Sequence, residues 1–102
     1  MEIEWSEPAE SDLGDIYEYI ARDVPLYAEQ FVDQVLATTN LLTDQPLMGR
    51  CVPEAHREDI RELLFQSYRI IYQVKPEFVY IVAVIHGSRD LSKMDNKPWE
   101  VV

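Results

Sequence analysis

The chain has 102 residues and a hydrophobic fraction of 47%, which corresponds to one globular domain with a modest core. A single cysteine, Cys51, excludes an internal disulfide bond and favours a reducing compartment. The formal net charge of −10, from 19 acidic and 9 basic residues, opposes non-specific nucleic-acid binding, although a local basic cluster can override it.

The chain carries no pattern typical of export or of membrane insertion. Residues 1–4 lack a basic region followed by an apolar one, so we expect no signal peptide. The longest apolar run, 78–85, is too short to span a bilayer. The expected location is therefore the cytoplasm.

The N-terminal half predicts one strand followed by two helices. Residues 2–5 alternate between polar and apolar and favour a strand. Ser6 can cap a first helix that ends near Asp23, because Pro25 disfavours helical geometry at the residue before it. Pro25 can open a second helix, which stops before Pro46. Two amphipathic helices with a short joint predict an antiparallel helical hairpin.

The C-terminal half predicts a loop followed by a three-stranded meander. The loop at 46–55 is marked by proline and glycine. The predicted strands cover 58–65, 68–75 and 78–86. The last of them is apolar on both faces, which is typical of a central strand buried on both sides.

The predicted fold is α+β: an N-terminal strand, an antiparallel helical hairpin, and a three-stranded antiparallel meander packed on the helices. We expect one domain at 1–92. Residues 93–102 are polar and predict a tail, with a fragment of structure at 99–102.

The length of the last hairpin loop determines which side chains share a face. A loop of two or four residues pairs Tyr72 with Ile81 and Arg69 with Val84. The face that the helices should cover then holds Ile70, Tyr72, Val74, Val79, Ile81, Ala83 and Ile85. The other face holds Arg69, Ile71, Gln73, Phe78, Tyr80, Val82, Val84 and His86, with Arg69 and His86 as diagonal neighbours.

This second face has no third helix to cover it. A contiguous apolar patch of this size typically marks a partner site. We therefore predict a binding face at Ile71, Phe78, Tyr80, Val82 and Val84, and we expect the isolated chain to self-associate. The alternative covers are the C-terminal tail and a second copy of the chain.

Several residues and short motifs follow one another along the chain in a characteristic order and spacing. They are Trp5, Asp12-Leu13, Pro25, Gly49-Arg50, Val52-Pro53-Glu54, Ile60-Arg61-Glu62-Leu63, Tyr68-Arg69-Ile70, His86 and Arg89-Asp90-Leu91. In this arrangement the chain resembles the RelE/ParE family of type II toxin–antitoxin toxins, closer to the ParE, or plasmid stabilisation, branch.

The resemblance implies a growth-arresting toxin wrapped by the C-terminal part of a small ParD- or RelB-like antitoxin, in a higher toxin–antitoxin assembly. The antitoxin would cover the apolar second face. RelE-like members cut mRNA in the ribosomal A site, whereas ParE-like members poison DNA gyrase. The resemblance thus leaves two targets open.

The nuclease alternative has three candidate catalytic residues, by similarity to YoeB-like enzymes. Glu54 would be the base, Arg69 would bind the phosphate and His86 would be the acid of a metal-independent endoribonuclease. The lysines of RelE-type enzymes are absent from this loop, and no tyrosine or histidine pair follows His86. Simpler roles also exist: Glu54 as a solvated acid, Arg69 as the partner of Glu62, and His86 as a strand-end residue.

The preferred prediction is a ParE-like inhibitor of DNA gyrase, since gyrase poisoning requires an interaction surface and no acid–base set. Arg61, Arg69, His86 and Arg89 are predicted to form a positive target-binding patch at one end of the open face. The alternatives are the nuclease and a toxin-fold protein that only binds a partner. No cofactor is expected, and one cysteine with two distant histidines matches no metal-ligand spacing.

Overall fold

The computed structural model describes residues 1–100, so Val101 and Val102, part of the predicted fragment at 99–102, lie outside the described residues. The elements are β1 (Glu2–Trp5), α1 (Glu7–Ala21), α2 (Pro25–Asn40), β2 (Arg50–Cys51), β3 (Ile60–Phe65), β4 (Tyr68–Val74) and β5 (Phe78–His86), with 3₁₀ turns at Leu41–Thr43 and Leu91–Lys93. The predicted α+β fold is confirmed. The short strand β2 lies inside the predicted loop and was not expected.

The predicted signals at the starts of both helices are confirmed. The Ser6 side chain accepts a hydrogen bond from the Ala9 N–H at 3.1 Å, which caps α1. Pro25 is the first residue of α2, where its missing N–H costs no helical hydrogen bond. The two helices form the expected hairpin.

The sheet has the strand order β1-β5-β4-β3-β2. β5 pairs in parallel with β1 and antiparallel with β4, and the remaining pairs are antiparallel. The connection between these two parallel strands, which must cross over, consists of the helical hairpin followed by β2, β3 and β4. β5 therefore lies inside the sheet, and the prediction of a central strand is confirmed.

The first hydrophobic core lies between the sheet and the helical hairpin. Its buried members include Ala9, Phe31, Val35, Leu42, Leu63, Ile70, Tyr72, Val79, Ile81 and Val84. The Phe31 ring packs edge-to-face against the rings of Phe65 and Tyr68. These contacts fix α2 on the sheet.

A β-bulge in β5 changes the predicted facing of its second half. Tyr72 pairs with Ile81, as predicted, but Ile71 pairs with Ala83, so Val82 is an extra residue in β5. Beyond it Arg69 pairs with Ile85, not Val84. The prediction was wrong for the four residues past the bulge: Ala83 and Ile85 belong to the second face, while Val84 and His86 turn to the helical side.

The prediction of an open second face is wrong, because the end of the chain covers that face. Leu91 and Trp99 are buried, with Trp99 8% exposed, and Met94 packs beside them. Their partners on the sheet are Ile60, Ile71, Val82, Ala83 and Ile85, with Val52 from the preceding loop. We name residues 91–100 the C-terminal cover; the predicted domain boundary after residue 92 itself stays a prediction.

Within residues 1–100, neither helix is both long enough and apolar enough to cross a membrane.

Candidate functional site

Two arginines and two carboxylates meet on the second face of the sheet, where β2, β3 and β4 lie side by side. Glu62 on β3 and Arg69 on β4 are only 1% and 5% exposed. Arg69 Nε donates to Glu62 Oε1 at 2.6 Å, and Arg50 Nε on β2 donates to Glu62 Oε2 at 2.5 Å. Each oxygen of Glu62 is thus bound by a different arginine. With Glu54, these residues form what we name the charge network.

Glu54 joins the network from the loop between β2 and β3. Its carboxylate accepts two hydrogen bonds from the Arg69 guanidinium, at 2.9 Å from Nη1 and 2.8 Å from Nη2. The same carboxylate accepts from the Leu91 N–H at 3.3 Å, and Arg69 Nη1 also donates to the Arg89 carbonyl at 3.3 Å. The network therefore ties the loop and the start of the C-terminal cover to the sheet.

The pairing shifts the titration of both members away from neutrality. Hydrogen bonds from Arg69 lower the pKa of Glu54 to about 2, against the opposing effect of burial. The pKa of Arg69 is raised, first by its hydrogen bonds to Glu54 and then by those to Glu62. Glu54 is therefore ionised at neutral pH, and its charge is balanced within the network.

A cavity of about 640 Å³ opens beside the network at the end of the sheet. Its walls include Arg50, Glu54, Leu64, Gln66, Ser67, Tyr68, Arg69, His86, Ser88 and Asp90. All three candidates for nuclease chemistry thus border one cavity. They reach it from different sides of the sheet.

His86 lies on the helical side of that end of the sheet. Its ring packs edge-to-face on Tyr68 with the centroids 5.7 Å apart. The Ser88 N–H donates to its Nδ1 at 3.2 Å, and the Ser88 hydroxyl lies 2.7 Å from the same nitrogen. A neutral His86 consequently carries its proton on Nε2. His86 and Arg69 are therefore not the diagonal neighbours that the sequence predicted, because the bulge turns His86 to the opposite face.

The structure does not bring Arg61, Arg69, His86 and Arg89 together in the predicted positive patch. Arg61 donates to the carbonyls of Glu58 at 3.0 Å and Gly49 at 2.9 Å, on the face opposite Arg69. Arg89 is exposed, but Arg69 is buried and faces two carboxylates. Arg69 and His86 border the same cavity, but Arg61 and Arg89 do not line it, so the four residues form no single positive patch. Their role in binding a target stays a prediction.

Comparison with known proteins identifies the family. The family model described as "ParE toxin of type II toxin-antitoxin system, parDE" matches residues 3–91. The chain belongs to the ParE toxin family. Among solved structures it is similar to a chain of the chromosomal ParDE TA system from P. aeruginosa, with a TM-score of 0.72 and 20% identity. That similarity covers 84% of this chain and 95% of the other, and it shows the fold. No curated protein matches this chain.

The predicted antitoxin face of this ParE-family chain is not open in the structure. Ile71 and Val82 lie beneath the C-terminal cover, and Val84 lies in the core under the helices. Phe78 and Tyr80 are half-buried and pack edge-to-face on each other, near Lys75. Antitoxin binding at this face stays a prediction, and it now requires the cover to move.

The sequence did not predict the Glu54–Arg69 pair, although pairing of Arg69 with Glu62 was one of the alternatives. Glu62 and Arg69 lie on one face of adjacent strands, so their pairing could be read from the strand register. No such periodicity places Glu54, because it lies in an irregular loop.

Metal binding is not supported by any grouping of side chains in the described chain. Within residues 1–100, no three His, Cys, Asp or Glu residues are placed to hold a metal ion. The expected absence of a metal site itself stays a prediction.

Proposed function

We propose that this chain is the toxin of a type II toxin–antitoxin pair, neutralised by a cognate ParD- or RelB-like antitoxin. It would act in the cytoplasm as a ParE-like inhibitor of DNA gyrase. Inhibition would result from contact between the two protein surfaces, without catalysis by the toxin. Membership of the ParE toxin family supports the first part of the proposal. The lowered pKa of Glu54 and its pairing with Arg69 support the second part.

Glu54 is poorly suited to act as a general base. A base is most effective when its pKa lies near the working pH, whereas the pKa of Glu54 is lowered to about 2. Both of its oxygens also accept hydrogen bonds from Arg69. Proton abstraction would require that bidentate pair to break. The geometry therefore supports a structural role for Glu54.

Arg69 is equally occupied by internal partners. Its guanidinium donates to Glu54, Glu62 and the Arg89 carbonyl, and its side chain is 6% exposed. A phosphate would have to displace a carboxylate to reach it. The net charge of −10 further opposes association with ribosomal RNA. These features favour a protein target.

A comparison of the wild-type chain with one variant distinguishes gyrase from the ribosome as the target. The wild-type chain and Glu54→Gln are expressed from an inducible promoter in a bacterial host, and the purified proteins are added to a gyrase supercoiling assay and to a translation extract. We expect growth arrest, a DNA-damage response and gyrase inhibition from both proteins, within a few-fold of each other once the folded fractions are matched.

A nuclease would give a different pattern. Removing its general base should reduce mRNA cleavage by about 10²–10⁴-fold. If the wild type cuts mRNA in the ribosomal A site and Glu54→Gln does not, the proposal of gyrase inhibition is wrong and the chain is an endonuclease. A chain that causes no arrest at all would be a partner-binding member of the fold.

A further inference from the structure

A serine and a histidine form a hydrogen-bonded pair in the turn that follows β5. The Ser88 hydroxyl lies 2.7 Å from His86 Nδ1, and the Ser88 N–H donates to the same nitrogen at 3.2 Å. Because Nδ1 of the neutral ring accepts the backbone N–H, it carries no proton, so the hydroxyl is the donor of the shorter contact. A serine whose hydroxyl donates to an unprotonated imidazole nitrogen has the arrangement of an activated nucleophile and its base.

The surrounding backbone holds the two side chains in this position. The Gly87 N–H donates to the Ser67 carbonyl at 2.7 Å, and the Arg89 N–H donates to the His86 carbonyl at 3.1 Å. The His86 ring also packs edge-to-face on Tyr68. The turn is therefore tied to the neighbouring β3–β4 connection, and the ring of the base is oriented by a third group, as in other nucleophile–base pairs.

The pair opens onto the cavity beside the charge network. Ser88 and His86 are both exposed and both line this space of about 640 Å³. Cavities of about 300–1,000 Å³ are typical of sites for small molecules. Leu64, Pro53 and Tyr68 add apolar surface to its walls. A small molecule with an apolar part can therefore reach the hydroxyl of Ser88.

The charges in the cavity wall balance each other. Arg50 and Arg69 are matched in number by Glu54 and Asp90, and Arg69 is paired with Glu54. A site without net charge does not concentrate anions such as phosphates or carboxylates. The favoured ligand is thus uncharged. A serine nucleophile attacks the carbonyl carbon of such a ligand when it is a carboxylic ester.

We propose that Ser88 is a nucleophile, with His86 as its general base, and that it takes the acyl group of an uncharged, activated carboxylic ester bound in this cavity. Ser88 Oγ attacks the carbonyl carbon, and its proton passes to His86 Nδ1. The bond between the carbonyl carbon and the ester oxygen then breaks, and the alcohol departs with the proton from His86. Ser88 is left as an acyl ester. This reaction is separate from the surface contact that inhibits gyrase under the proposed function.

The reaction is tested with p-nitrophenyl acetate, by the release of p-nitrophenol and by peptide mass spectrometry of the full chain. All proteins carry Cys51→Ala, because the exposed thiol of Cys51 also reacts with activated esters. We expect the acetyl group on Ser88 and its loss in Ser88→Ala. His86→Ala should slow acetylation of Ser88 by about 10²–10⁴-fold, the usual effect of a general base.

The matched control is Ser67→Ala, which removes a second exposed serine from the wall of the same cavity. It should leave the acetylation of Ser88 nearly unchanged. His86→Ala also removes the packing on Tyr68, whereas Ser88→Ala leaves that ring contact in place and tests the nucleophile alone.

Three results would overturn the proposal. The first is p-nitrophenol release that is as fast in Ser88→Ala, which would make the imidazole itself the nucleophile. The second is an acetyl group spread over other side chains with none on Ser88. The third is acetylation of Ser88 at the same rate in His86→Ala, which would leave the hydroxyl without a base. None of these results bears on gyrase inhibition, which is measured without the ester.

Discussion

Glu54 and Arg69 form a bidentate ion pair that joins an irregular loop to the inside of the sheet. The two N–O distances are 2.8 and 2.9 Å, and the same carboxylate also accepts the Leu91 N–H. Three segments that are distant in sequence therefore depend on the charge of one side chain. This dependence should be visible in the stability of the protein at low pH.

The ion pair predicts a loss of stability in acid. The pKa of Glu54 is lowered from 4.5 to about 2, so its contribution to stability is complete above pH 4.5 and is lost as the pH falls towards 2. Glu54→Gln removes this titration and should cost about 1–3 kcal/mol at pH 7. The difference between wild type and variant should shrink across that window, as measured by urea unfolding. A difference independent of pH would contradict the assigned pairing.

Removal of Glu62 should be among the most destabilising single changes in the network. Its side chain is fully buried and binds both Arg50 and Arg69, so Glu62→Ala leaves the buried Arg69 without one of its two carboxylate partners. Breaking a buried pair in this way costs about 3–5 kcal/mol. Urea unfolding at pH 7 measures the loss.

The matched control for Glu62→Ala is the exposed ion pair between Arg57 and Asp59. Arg57→Ala should cost less than about 1 kcal/mol, because water screens a pair in which both side chains are more than a third exposed. Equal costs for the two variants would mean that the network is as well solvated as the surface pair.

Gly49 and Gly14 should respond in opposite ways to the same substitution. A Cβ at Gly49 would lie 2.6 Å from the Glu62 carbonyl and 2.6 Å from the Tyr72 hydroxyl. Tyr72 cannot yield easily, since its hydroxyl donates to the Pro46 carbonyl and accepts from the Gly49 N–H. Gly49→Ala should therefore destabilise the protein by about 1–3 kcal/mol.

At Gly14, within α1, a Cβ would meet nothing within 4 Å. Gly14→Ala should stabilise the protein by about 0.5–1 kcal/mol, because alanine loses less backbone entropy in a helix. Thermal unfolding of the two variants measures both effects. Changes of the same sign would show that the loop around Gly49 adapts to the added methyl group.

The elements of the fold were predictable because each has a local signal. Ser6 and Pro25 mark the helix starts, and the apolar run at 78–85 marks the central strand. The two-residue strand β2 was missed because so short a strand has no periodicity. It is defined by its pairing with β3 and by the contact of Arg50 with Glu62.

The facing of the second half of β5 could not be derived from alternation alone. A single extra residue, Val82, exchanges the two faces for every residue after it. The bulge separates His86 from Arg69, and the idea of one positive patch depended on that neighbourhood. The C-terminal tail was only an alternative cover of this face in the sequence analysis, for a related reason: Leu91, Met94 and Trp99 have no helical or strand spacing, and only the fold brings them together.

The backbone around the bulge is hydrogen-bonded to side chains of α1 and its cap, which leads to a last prediction. The Asp12 carboxylate accepts a hydrogen bond from the Val84 N–H at 3.0 Å, and the Ser6 hydroxyl lies 3.4 Å from the Val82 carbonyl. Asp12→Ala leaves the Val84 N–H without this partner, which should cost about 1–3 kcal/mol and speed hydrogen exchange at that amide. Asp15→Ala, on the exposed side of the same helix, should leave both quantities nearly unchanged.

Asp12→Asn tests whether the oxygen or the charge matters. The pKa of Asp12 is raised above 3.8, chiefly by burial, so ionisation of this carboxyl costs the folded state more than the unfolded state. Asparagine keeps an oxygen acceptor without the charge, and we expect Asp12→Asn to be at least as stable as wild type at pH 7 and to retain the slow exchange of the Val84 amide. Its advantage should shrink as the pH falls through the raised pKa of Asp12 and be lost below 3.8, because the wild-type side chain is then neutral in both the folded and the unfolded state. If Asp12→Asn instead exchanges as fast as Asp12→Ala, the amide is protected by the packing around the bulge and not by Asp12.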